Sequence, residues 1–275
     1  STFDNQQRIL DIATEACERV NESYDEFAAE TFNSDGTYIE LEIESYATRL
    51  FVPSAKSGEG KKRYAQLTRW NDDDGGTWYS PSELDITGID PVRSDRAPVT
   101  RDVVTDVLEI ILRTDDEDTA RERVYNYVSG VIDDIRDDTI DNEYIARPKG
   151  MGQPPEEYGS VDRSAPSTYR GAKYANKHFD WENMGEGSNP CLLYIKRVGG
   201  DWPQQYDTET AEDGAQVDAV ALEDPSRLPP EFDVDAEKMI TKTLESPLTT
   251  VFEPLHWNFD ECKLDGKQGR LSSYM

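Results

Sequence analysis

Lys61-Lys62-Arg63-Tyr64 sets three consecutive cations and an aromatic ring in a chain where 57 acidic residues outnumber 29 lysines and arginines. Such a run neutralises phosphates and displaces counterions, and Tyr64 adds a flat amphipathic edge beside it. The chemistry on offer is contact with a polyanion; the competing reading is a solvated hairpin end. A second basic patch, Arg170-Gly171-Ala172-Lys173-Tyr174-Ala175-Asn176, reads as a short helix presenting two cations and a tyrosine. A third set is acidic: Glu40, Glu42 and Glu44 alternate with Ile39, Leu41 and Ile43, so a strand here stacks three carboxylates on one face. They repel one another unless salt or a cation intervenes. Either this is the solvated face of an acid-rich protein, or one or two of the carboxylates lie near a divalent-ion site, because Mg2+ takes only one or two carboxylates per ion.

Other chemistries find little support. Cys17, Cys191 and Cys262 lie far apart with no Cys-x-x-Cys and an odd count, which reads as free thiols in a reducing cytoplasm. His178 and His256 have no metal-ligand spacing and read as structural. There is no phosphate-cradling glycine loop, no Ser/His/Asp order of the hydrolase type and no zinc-finger spacing. No apolar run approaches the roughly 18 residues of a membrane span and no signal peptide heads the chain, so a soluble cytoplasmic protein with no membrane contact is expected. The formal net charge is -28 and the mean hydropathy -0.78. Charge is interleaved with apolar periodicity along the whole chain, which excludes a disordered acidic tail. Such a surface suits multimolar salt, where the Debye length falls to ~3 Å or less, and points to a salt-loving archaeon or one of its viruses.

These residues must be carried by regular elements. Ile9, Ile12, Ala13, Ala16, Val20, Tyr24, Phe27 and Ala28 recur at steps of three and four, predicting an amphipathic helix over residues 8–32 with one buried stripe. Strands are expected at residues 38–44, 47–52, 61–70 and 84–89, with a polar turn region between Asn71 and Ser82. This first block is helix plus antiparallel sheet, so the fold class is α+β. Composition shifts near Asp90, taken as a domain boundary. Beyond it, Ser94 or Asp95 can cap a helix and Pro98 suits its first turn. That helix buries Val103, Val104, Val107, Leu108 and Ile111, and a second one buries Val124, Val128, Val131, Ile132 and Ile135. Residues 139–168 and 199–231 read as irregular, and 191–198 as a strand. A last helix spans 234 to about 255, kinked by Pro247. The expected division is therefore a sheet-bearing block over residues 1–89 and a mainly helical domain over 90–275.

Taken in order, Ile39-Glu40-Leu41-Glu42-Ile43-Glu44, Lys61-Lys62-Arg63-Tyr64-Ala65, Ile86-Thr87-Gly88 and Val92-Arg93-Ser94-Asp95 resemble the C-terminal part of family B DNA polymerases. Arg170-Gly171-Ala172-Lys173-Tyr174-Ala175-Asn176, Leu228-Pro229-Pro230-Glu231-Phe232 and Lys242-Thr243-Leu244 look like the haloarchaeal branch. The resemblance implies the end of a palm domain (1–89) followed by a thumb (90–275). It implies that Lys61, Lys62, Arg63 and Tyr64 grip the primer-template duplex along its minor groove, and that Arg93 and Asp95 touch the primer strand. Arg170, Lys173 and Tyr174 join them as DNA-binding residues. Ser94 stands where many members carry a second arginine, so one contact of the family pattern is absent. Glu42 and Glu44 match positions close to the metal site, as accessory carboxylates.

The family's reaction is nucleotidyl transfer from dNTPs by two metal ions, here Mg2+. Its principal aspartates, one from an early palm strand and one from an Asp-Thr-Asp-Ser turn, do not occur in this sequence, so no catalytic residue is assigned. The resemblance starts where that turn ends, and Ser1 fits its last residue, as after an intein or in a split polymerase. The expectation is a C-terminal fragment or small subunit, inactive alone and completed by an N-terminal polymerase fragment. The alternatives are a stand-alone DNA-binding protein and an acidic interaction protein in which the basic run is a surface turn.

Overall fold

The computed structural model describes residues 2–33, 39–53, 62–73, 75–89, 94–158, 166–206 and 215–264. It divides into two compact units, Ser1–Phe51 with Ala65–Asp85, and Val52–Tyr64 with Ile86–Met275.

In the first unit, helix α1 (Thr2–Phe32) ends at Asn33, whose φ of 50° is the left-handed turn that terminates helices. Three antiparallel strands follow in the order β1 (Ser45–Phe51), β2 (Tyr64–Asn71), β3 (Thr77–Thr87). β1 runs in register with β2 from Ser45 opposite Asn71 to Phe51 opposite Ala65, with irregularities around Ala47. The predicted polar region 71–82 shrinks to a tight turn. Asn71 Oδ1 accepts the Asp73 N–H at 2.9 Å, and the Asp72 carbonyl accepts the Gly75 N–H at 2.8 Å, which closes the chain early and lets β3 start at Thr77. Gln66 lies buried on β2 and its amide nitrogen is within 3.3 Å of Asp85, Thr68 and Ser45.

Two expectations fail here. Of the described residues, 39–44 form no strand. The Asn21 side chain takes the place of a neighbouring strand: its Nδ2 donates to the Leu41 carbonyl at 2.9 Å and its Oδ1 accepts the Leu41 N–H at 2.8 Å. That amide ties the segment to α1, and Glu40, Glu42 and Glu44 are exposed without forming a strand face. The second failure concerns α1, which buries Leu10 and Ala28 and half-buries Ala13, Cys17 and Tyr24, while Ile12 and Phe27 are each 57% exposed and Ile9 50%. The helix is as predicted, but half of its apolar stripe faces outward.

The second unit opens with the predicted helical hairpin, α2 (Pro98–Arg113) and α3 (Glu117–Arg136). Pro98 takes the first turn as expected, but the residue before it is Ala97 and no side chain caps α2. Asp116 does cap α3, accepting the Thr119 N–H and hydroxyl at 2.8 and 2.6 Å, and those bonds hold its carboxyl below the usual range. Val103, Val104, Val107 and Leu108 of α2 and Val124, Val128, Ile132 and Ile135 of α3 are buried; Ile111 and Val131 are half-buried.

After a short helix α4 (Asn142–Ile145) comes a second antiparallel sheet: β4 (Arg147–Pro148), β5 (Cys191–Val198) and β6 (Ala219–Leu222), with β7 (Phe232–Val234) pairing the far end of β5. Helix α5 (Ser167–His178) packs on β6. The region 199–231, expected as loop, thus contains β6, whose four apolar residues are fully buried. The α+β class holds, with helices and an antiparallel sheet in this unit as well.

The final helical run is α6 (Ala236–Ile240), a π-helical turn (Thr241–Glu245) and α7 (Ser246–Phe252). Pro247 explains the interruption. It has no N–H to give the carbonyl four residues back, and its ring crowds that carbonyl; the wider turn relieves both, with the Ser246 N–H bonding Thr241, five residues back. The carbonyl that Pro247 cannot serve, Thr243, accepts the Thr100 hydroxyl of α2 at 2.7 Å in a fully buried position. Thr100→Val keeps the shape but removes that donor, and should lower the unfolding free energy by about 1–2 kcal/mol in a denaturant titration. A value near zero would mean that water replaces the hydroxyl.

Candidate nucleic-acid interface

The basic turn sits directly ahead of β2. Lys62 is exposed and adopts a left-handed φ of 64°. Arg63 and Tyr64 are half-buried, and Ala65, with no exposure, fixes the start of the strand. The Arg63 Nε is buried and has no hydrogen-bond partner among the described residues. Lys61 and Arg93 lie outside the described residues.

Asp95 is half-buried, with Arg96 Nη1 at 3.8 Å and Lys149 Nζ at 4.0 Å from its carboxylate. Its charge is therefore met by cations of the chain itself. Ser94, beside it, is exposed.

The second basic patch is built differently from the sequence expectation. Arg170 and Tyr174 are four residues apart on α5, hence on one helical face, and that face is the inner one: they are 7% and 3% exposed. Arg170 Nη2 lies 2.9 Å from both carboxylate oxygens of Asp218. Lys238 Nζ approaches the same carboxylate at 3.5 Å, and the Tyr206 hydroxyl at 3.1 Å. Burial would raise the Asp218 carboxyl, but the Arg170 hydrogen bond and charge, with the Lys238 charge, hold it below the usual range. Tyr174 donates to the Pro203 carbonyl at 2.8 Å, and burial pushes its hydroxyl up to about 12. These two side chains tie α5 to the segments around Asp218 and Pro203. Lys173 is half-buried. Sequence reasoning missed Asp218 because its partner is 48 residues away; the available signal was a lone carboxylate set immediately before the apolar run Ala219–Leu222.

Glu42 and Glu44 are exposed. Among the described residues no group of three or more His, Cys, Asp or Glu is disposed to hold a metal ion. The two glutamates belong to no such group. No helix among the described residues is long and apolar enough to cross a membrane.

The chain as a whole has counterparts among known proteins. The sequence matches DNA polymerase family B over residues 4–179, well over half of the chain, and the protein belongs to that family. It is 28% identical over 127 residues to the DNA polymerase alpha catalytic subunit of Dictyostelium discoideum, which takes in 46% of this chain and 8% of that subunit. Its fold is similar to that of the family B DNA polymerase from the hyperthermophilic archaeon Pyrobaculum calidifontis, with a TM-score of 0.51 at 18% identity, covering 86% of this chain and 24% of that one. The chain spans under a tenth of the curated relative and about a quarter of the solved structure.

Proposed function

We propose that these 275 residues are the end of the palm and the thumb of a template-directed DNA polymerase. In this reading residues 1–89 close the palm and 90–275 form the thumb. The observation that carries it is the basic turn Lys62-Arg63-Tyr64 at the start of β2, with Lys62 exposed and the other two half-buried, in a chain whose charge is otherwise strongly acidic. Duplex DNA is gripped there through phosphates and the minor groove, independently of sequence, with Lys61 and Arg93 as further contacts. The acidic surface belongs to a haloarchaeal or haloviral protein, in which salt screens long-range repulsion and leaves contacts at a few ångströms effective.

The catalytic aspartates come from the part of the fold outside these residues, as a separate N-terminal fragment or as sequence joined to it. Support comes from α1. Ile9, Ile12, Val20 and Phe27 are exposed on one face of a single helix, an apolar stripe of the kind that marks an interface, and the matching polymerase has three-quarters of its chain beyond the shared region. The described carboxylates form no group that holds Mg2+ by itself; Glu42 and Glu44 would stand as outer carboxylates near ions held by aspartates elsewhere, and those ions would supply the two-metal chemistry. Alone the chain does not extend primers.

The test is primer extension and duplex binding in high KCl with Mg2+ and dNTPs, with and without the polymerase polypeptide carrying the exonuclease and early palm regions from the same source. Extension should require both parts. Lys61→Ala with Lys62→Ala should weaken duplex binding about a hundredfold, uniformly across sequences, and reduce the salt slope by about two. Unchanged affinity would remove the duplex grip from this turn.

A further inference from the structure

We infer that Gly88 is a positioning residue for the basic turn: its missing side chain is what allows Lys62 and Arg63 to be held where they are. The inference rests on reading that turn as the duplex contact. Gly88 follows β3 with a φ of 66°, and a Cβ built on it would stand 2.5 Å from the Lys62 carbonyl oxygen, 3.1 Å from Arg63 Cγ and 3.5 Å from Arg63 Cα. The first distance is far inside van der Waals contact, and the atom it meets is backbone. The turn, not a side-chain tip, would have to move.

Two further observations bear on the same place. Lys62 is itself left-handed, a conformation that non-glycine residues keep only where their surroundings impose it. Arg63 Nε is buried without a hydrogen-bond partner among the described residues, so packing against the bare α-carbon of Gly88 fixes the arginine stem where no hydrogen bond at Nε does. Gly88 acts through Lys62 and Arg63, not on the ligand.

Gly75 supplies an internal control. Its φ of 71° matches that of Gly88, but a Cβ there meets nothing within 4 Å. Gly75→Ala therefore carries the same backbone strain without the contact. Primer-template affinity of the 275-residue chain is measured by fluorescence anisotropy across a KCl series, below each variant's unfolding midpoint. Gly88→Ala should bind about tenfold more weakly, with the slope of log affinity against log salt reduced by about one, as when one phosphate contact is lost; Gly75→Ala should change neither. In the Lys62→Ala background Gly88→Ala should add less than half of that loss, because both act on the same contact.

Equal effects of the two glycine variants, additive effects with Lys62→Ala, or a Gly88→Ala chain with no cooperative thermal transition would each overturn the positioning role. A weakened Lys62→Ala with unaffected Gly88→Ala removes the positioning role and leaves the duplex reading standing. If Lys62→Ala also binds like the wild type, the duplex reading itself falls and takes this inference with it.

Discussion

Asp218→Ala should lower the unfolding free energy of the chain by about 3 kcal/mol, the low end of what breaking a buried ion pair costs. The two partners are unequally buried. The Arg170 side chain is 8% exposed and that of Asp218 is 41% exposed, so removing the aspartate takes a carboxylate from beside a guanidinium that water reaches poorly. Removing the arginine instead, as Arg170→Met, leaves a carboxylate that can hydrate and fills the space with an apolar stem; the expected cost is only about 1 kcal/mol. The contrast between the two variants, read from denaturant titrations in high KCl, is the signature of a pair anchored from the arginine side. Equal losses would mean that Asp218 is as poorly solvated as its partner. The pH dependence follows from the lowered Asp218 carboxyl. A depressed acid contributes stability that is complete above its unfolded value of about 4 and is lost as pH falls through the folded value. The gap in stability between wild type and Asp218→Asn should stay constant from pH 7 to about 5 and narrow below about 4.

How far the sequence leads is visible in the same elements. The α2–α3 hairpin was legible because Val103, Val104, Val107 and Leu108, and Val124, Val128 and Ile132, repeat at helical spacing and all are buried. α1 was equally legible as a helix, yet its stripe was assigned to a core that the described residues do not supply at Ile9, Ile12 and Phe27. Periodicity reports which face is apolar and is silent on what covers it. Residues 39–44 fail for a related reason: alternation fits a strand and also fits an extended segment held by the Asn21 amide and the Asp72 N–H. The basic turn was found from residue type alone, because three cations in an acid-rich chain need no fold to be noticed. By that same rule Arg170 and Tyr174 were read as presented outward, whereas both are buried. A cation on a helix looks free until its partner, here Asp218 across a long loop, is brought beside it. β6 was lost because four apolar residues in an acidic stretch are too few to show a period. The glycine that admits α5 to β6 carries no signal in any window.

That glycine gives the other large expected effect. A Cβ on Gly171 would lie 2.7 Å from the Ala221 nitrogen and 2.9 and 3.0 Å from the Val220 carbonyl carbon and Cα. All three are backbone atoms of a fully buried strand at the end of its sheet, which cannot swing aside as a side chain would. Two terms of opposite sign compete in Gly171→Ala. Alanine gains about 1 kcal/mol over glycine in a helix interior, while forcing α5 off β6 costs about 1–3 kcal/mol or more through overpacking. The same displacement would stretch the Arg170–Asp218 pair one residue away, so the unfavourable term should win and the net loss reach about 2 kcal/mol. Gly130 isolates the first term, since it lies on the exposed side of α3 with nothing within 4 Å of a built Cβ. Gly130→Ala should therefore stabilise the chain by about 1 kcal/mol, and Gly171→Ala should destabilise it. Opposite signs for the same substitution in two helices would locate the difference in the packing of α5 on β6. If Gly171→Ala also stabilises, helix and strand have room to separate, and the close approach contributes nothing to holding Arg170 against Asp218.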